Sequence, residues 1–74
     1  SEKNQLTNAY KALGVSPSVD DRDLRKVFRR LMSENHPDKL SARGVPKEMI
    51  DIATERSQSI TAAYDLIKAA RGLK

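Results

Sequence analysis

Leu24, Val27, Phe28, Leu31 and Met32 recur at i, i+3, i+4, i+7 and i+8, the spacing of one apolar face of an α-helix. At about 100° per residue, Arg22, Arg25, Lys26, Arg29 and Arg30 fall on the other side of that helix, so the charge forms a stripe. Ser18 followed by Asp21 resembles a capping box, and Asp20 and Asp21 suit the positive end of a helix dipole; together they predict a start near Val19. Pro37 disfavours helical backbone in the residue before it, which predicts an end at about Asn35.

Two further segments read as helices. Upstream, Ala9, Tyr10 and Leu13 share one side of a short helix, with Thr7 or Asn8 as its N-cap, Leu6 as a hydrophobic staple and Gly14 as the left-handed residue that closes it. Downstream, Pro46 suits a first helical position and Glu48 a first turn. Met49, Ile52, Ala53, Arg56, Ile60, Ala63, Tyr64 and Ile67 then keep a helical period until the pattern fades at "AARGLK". Ile50 and Leu66 lie off that stripe and are expected to be partly exposed. The predicted fold is all-α: a short first helix packed on an antiparallel pair of longer helices, with a His36-Pro37-Asp38 loop between the second and third.

With 74 residues, 38% of them hydrophobic, the chain can build one small core, which predicts a single domain over 1–74 with its core at about 7–70. The polar ends "SEKNQ" and "RGLK" read as linker edges, so the domain is expected to be excised from a longer protein. The absence of cysteine removes disulfides and thiolate metal sites. No run reaches the roughly 18 apolar residues of a membrane span, so a soluble domain without direct membrane contact is expected. The formal net charge of +4 favours an acidic partner, which leaves nucleic acid, a lipid surface and an acidic protein face open.

Chemistry is narrowed by elimination. His36 is the only histidine, and with no cysteine it cannot build an ordinary zinc site. No nucleophile or oxyanion donor accompanies the His36/Asp38 pair, and Gly14, Gly44 and Gly72 are isolated, so there is no phosphate loop. The chain is expected to be no enzyme and to carry no cofactor or metal. Read from the residues alone, His36-Pro37-Asp38 is either a helix stop followed by a turn or a recognition element, and the stripe is either a solvated face or a docking face. Nucleic acid fits less well, because the stripe carries few Asn or Gln to read bases and aromatics make up only 4% of the chain. Tyr10, Tyr64, Met32 and Met49 read as packing, and Arg43, Lys47 and Arg56 as solvated or locally paired.

The segments "AYKALGV", "LRKVFRRLMSENHPDK" and "ITAAYDLI", in that order, resemble the J domain of DnaJ-type co-chaperones over roughly residues 8 to 68. The resemblance implies a monomeric module that binds no nucleotide itself and stimulates ATP hydrolysis by a DnaK-type chaperone of the seventy-kilodalton heat-shock class, promoting client capture. His36, Pro37 and Asp38 match the tripeptide that engages the partner near its nucleotide-binding domain and interdomain linker. Arg25, Arg29 and Arg30 match basic positions that face the partner's acidic surface, Lys39 matches the one after the tripeptide, and Arg22 and Lys26 extend the stripe. Three positions depart from the pattern. Phe28 replaces the usual Tyr, Ser57 stands where many members carry Phe, and the segment between Asp38 and Tyr64 is longer than usual. The lost contact at Ser57 is expected to be covered by Met49, Ile52 or the stem of Arg56. The longer segment resembles a DnaJ-like subgroup of Gram-negative bacteria, anchored in the inner membrane with the J domain on the cytoplasmic side.

Overall fold

The computed structural model describes residues 1–73 and contains four helices. They are α1 (Glu2–Leu13), α2 (Asp21–Glu34), α3 (Pro37–Ala42) and α4 (Lys47–Arg71). All-α architecture and an antiparallel α2/α4 pair agree with the sequence pattern. The pairing is legible from the contacts, since Asp21, Phe28, Met32 and Asn35 meet Arg71, Tyr64, Thr61 and Ser57 in reverse order.

Two starts differ from expectation. Asp20, not Ser18, caps α2: its Oδ1 accepts from the Asp23 amide at 2.7 Å, while the Ser18 hydroxyl is engaged by Ser16 Oγ at 2.9 Å in the preceding turn. Helix α1 begins at Glu2, five or more residues before the expected cap, because Ser1 Oγ accepts from the Asn4 amide. Thr7 lies inside that helix and turns its hydroxyl back to the Lys3 carbonyl at 3.0 Å. The ends follow the sequence more closely. Gly14 closes α1 at φ 70°, and Gly72 closes α4 in the same left-handed conformation. Lys74, the last residue of the fading "AARGLK", lies outside the described residues.

Leu24 and Ile67 are fully buried at the centre of the core, joined by Ala9, Tyr10, Leu13, Ile60 and Ala63. Val27, Phe28, Leu31, Met32 and Tyr64 are half-buried around it, and Phe28 stacks on Tyr64 with ring centroids 3.9 Å apart. Ile50 and Leu66 are half-buried, in line with their place off the stripe. Met49 and Ile52, expected in the core, are 59% and 57% exposed. The cause is length. Asn35, at the end of α2, lies opposite Ser57, so the part of α4 before Ser57 runs on past the end of α2, beside α3.

Arg71 clasps three parts of the fold. Its guanidinium donates to Tyr10 Oη of α1 at 3.0 Å, to the Pro17 carbonyl at 3.2 Å and to Asp21 Oδ1 of α2 at 2.8 Å. The hydrogen bonds to Asp21 and then to Tyr10 raise its already high pKa, so the guanidinium keeps its charge at neutral pH.

Candidate partner-binding surface

His36-Pro37-Asp38 is not a loop: it opens α3. Proline suits the first position of a helix, where no amide donor is needed, so Pro37 ends α2 and starts α3 at once. His36 is the N-cap, in extended conformation (φ −72°, ψ 124°), and its Nδ1 accepts from the Asp38 amide at 3.3 Å. An accepting Nδ1 places the proton of the neutral ring on Nε2. His36 and Asp38 are exposed and Pro37 is half-buried, so the short helix presents the imidazole and the carboxylate while proline anchors the turn.

The turn is fixed from beneath by Asn35, the one buried polar residue among those described. Its Nδ2 donates to the Leu31 carbonyl at 2.8 Å, and its own carbonyl accepts from Ser57 Oγ of α4 at 3.2 Å. Ser57 therefore contributes a hydrogen bond where packing was expected, and Met49, Ile52 and Arg56 are themselves exposed. The space beside it is an open groove of about 450 Å³ lined by Met32, Pro37, Thr54, Ser57 and Thr61, among others. Sequence reasoning singled out Ser57 for what it lacks and passed over Asn35. An Asn before His-Pro, at the end of an amphipathic helix, was the available signal for a side-chain cap.

On α2, Arg22, Arg25, Lys26 and Arg29 line one shallow groove beside Asp21, and all four are exposed. Among the described residues none of the four forms an ion pair, so their charges face solvent. Arg30 is set apart: its Nε lies 3.7 Å from Glu34 Oε1 in an exposed i,i+4 pair, worth at most about 0.5 kcal/mol. Lys39, on α3, reaches back so that its Nζ donates to Ser33 Oγ of α2 at 2.9 Å, which brings its ammonium group to the last turn of α2. Chain continuity thus joins a basic helix face to an exposed His and Asp.

Residues 8–71 match the family model described as DnaJ domain. The chain is 51% identical over 74 residues to the "Co-chaperone protein DjlA" of Vibrio parahaemolyticus serotype O3:K6, which covers 100% of this chain and 26% of that protein. The protein of the same name from Vibrio cholerae serotype O1 is 47% identical over the same lengths, and that from Pasteurella multocida 54% over 69 residues, or 93% of this chain and 24% of the relative. The chain spans about a quarter of the length of the curated relatives it matches. No solved structure gives a significant match. On the matched span of residues 8–71, this chain belongs to the DnaJ domain family.

Proposed function

We propose that this domain is a co-chaperone module that binds a DnaK-type chaperone of the seventy-kilodalton heat-shock class and stimulates its ATP hydrolysis, promoting client capture. The observation that carries the reading is the exposed basic groove of Arg22, Arg25, Lys26 and Arg29, followed on the same chain by a helix cap that exposes His36 and Asp38. In this reading the groove meets an acidic face of the partner's nucleotide-binding domain, and His36, Pro37 and Asp38 reach the neighbouring interdomain linker. Arg30 and Lys39 extend the contact on either side once their weak internal bonds exchange for the partner.

Exposed guanidinium groups raise the encounter rate and set register, but each rim contact contributes little, so the complex is transient, as a reusable co-chaperone requires. Asp38 pairs with a cation on the partner. Because proline and the His36 cap already hold its backbone, less ordering entropy is lost on binding. The domain acts as a monomer and supplies no catalytic group; the bond that breaks lies in the partner's nucleotide.

Among the described residues no helix is long and apolar enough to cross a membrane. We propose that the protein is anchored at the inner membrane with this domain on the cytoplasmic side, as the resemblance to the DnaJ-like subgroup of Gram-negative bacteria implies. The test of the reading is single-turnover ATP hydrolysis by a DnaK-type chaperone, with the wild-type domain and with His36→Gln. Stimulation by the first and its loss in the second, with circular dichroism unchanged, is the expected result. No stimulation by the folded wild-type domain with its cognate chaperone would refute it.

A further inference from the structure

We propose that Ser57 is a positioning residue for His36, acting from α4 through the Asn35 carbonyl; the proposal rests on the co-chaperone reading above for its functional consequence. The peptide group that joins Asn35 to His36 is planar, so holding its oxygen and its N–H fixes the plane from which the His36 side chain departs. Both ends are held: Ser57 Oγ donates to the Asn35 oxygen at 3.2 Å, and the His36 N–H donates to the Ser33 carbonyl at 3.3 Å. On the far side of His36, Pro37 restricts ψ to the extended range that the structure adopts, 124°. Of His36's two backbone torsions, Pro37 restrains ψ, while φ, −72°, turns the side chain about the plane that these bonds pin.

The His36 N–H bond to Ser33 holds the plane from within its own segment, and Ser57 ties it to α4. Asn35 spends its side-chain amide on the Leu31 carbonyl, and its own N–H points to the same acceptor at 3.2 Å. Those bonds finish α2 but lie on the other side of Asn35 from its carbonyl. Ser57 is the contact from outside this segment that reaches the carbonyl itself, across 22 residues of sequence. The space alongside is an open groove. When the hydroxyl is lost, the Asn35–His36 plane can rock, and the fraction of molecules that present His36 and Asp38 together falls. A reduced competent fraction weakens apparent affinity and leaves the fully bound complex intact.

The test uses Ser57→Ala and Ser57→Thr in the same chain. Alanine favours helix over serine, so a loss in Ser57→Ala is not explained by an unfolded α4, and threonine restores the hydroxyl. Two readouts are taken: amide chemical shifts and hydrogen exchange at His36 and Asp38, and the domain concentration that half-saturates stimulation of a DnaK-type chaperone. Expected for Ser57→Ala are faster exchange and shifted signals confined to Ser33–Lys39, with a half-saturating concentration raised roughly three- to tenfold and an unchanged maximal rate. Ser57→Thr returns both to within about twofold of wild type. Changes in neither variant, or equal losses in both, overturn the proposal. If the wild-type domain gives no stimulation, the co-chaperone reading fails by itself, and the exchange and shift data still decide whether Ser57 holds the turn.

Discussion

Replacing Arg71 with methionine keeps an unbranched apolar stem in place and deletes the guanidinium that joins α1, the α1–α2 turn and α2. The loss can be worked contact by contact. The part-buried bond to Tyr10 Oη is worth about 1 kcal/mol. The ion pair with Asp21, whose side chain is 54% exposed, is screened by solvent and contributes roughly 0.5 kcal/mol. The guanidinium carbon lies 5.4 Å from the Tyr10 ring centroid, adding a cation–π attraction of about 0.5 kcal/mol. The Pro17 carbonyl lies at the surface and rehydrates, so it adds little. The total is near 2 kcal/mol, which in a domain of this size lowers the thermal midpoint by roughly 8 to 16 °C. Thermal unfolding followed by circular dichroism at low salt measures it, with Asp21→Asn beside it as a partial deletion worth roughly 2 to 4 °C. A midpoint lowered by less than about 3 °C in Arg71→Met would refute the clasp as a stabilising element.

Three further outcomes follow from the same structure. Leu24→Ala empties a fully buried site and costs about 2 to 5 kcal/mol, whereas Ile52→Ala, at a position 57% exposed, stays within about 0.5 kcal/mol of wild type in urea unfolding; similar costs for the two would contradict the burial pattern. Gly14→Ala meets open space but keeps a φ of 70°, so the strain alone costs about 1 to 2 kcal/mol and lowers the thermal midpoint by at least 4 °C. Arg25→Glu combined with Arg29→Glu reduces affinity for the chaperone by tenfold or more at low ionic strength, and titrations in rising salt bring wild type and variant together as the Debye length shrinks. A salt-independent defect would remove steering from the account.

The sequence specified α2 well because its signals agreed: unbroken apolar spacing, acidic residues at the start and Pro37 at the end. It misjudged the region after Asn35 for two physical reasons. A proline that stops one helix is the same residue that starts another, and a six-residue helix leaves too little periodicity to reveal which. Met49 and Ile52 keep the period of α4, yet period specifies only which residues share a face; what covers that face depends on where α2 ends. The tripeptide and the basic groove were readable as a pattern, and the resemblance supplied the reason to join them. The bond from Ser57 to Asn35 was not readable, since it joins residues 22 apart in sequence and depends on the register of two antiparallel helices.

The central claim is that one continuous surface, the Arg22–Arg29 groove with His36–Lys39, meets the chaperone. Nuclear magnetic resonance of the isotope-labelled domain, titrated with an ATP-bound DnaK-type chaperone, tests it most directly. The account predicts broadening and shifts at Arg22, Arg25, Lys26, Arg29, His36, Asp38 and Lys39, with α1 and the Met49/Ile52 face unaffected. Perturbations centred on Met49 and Ile52 or on α1, with His36 and Asp38 silent, would contradict it.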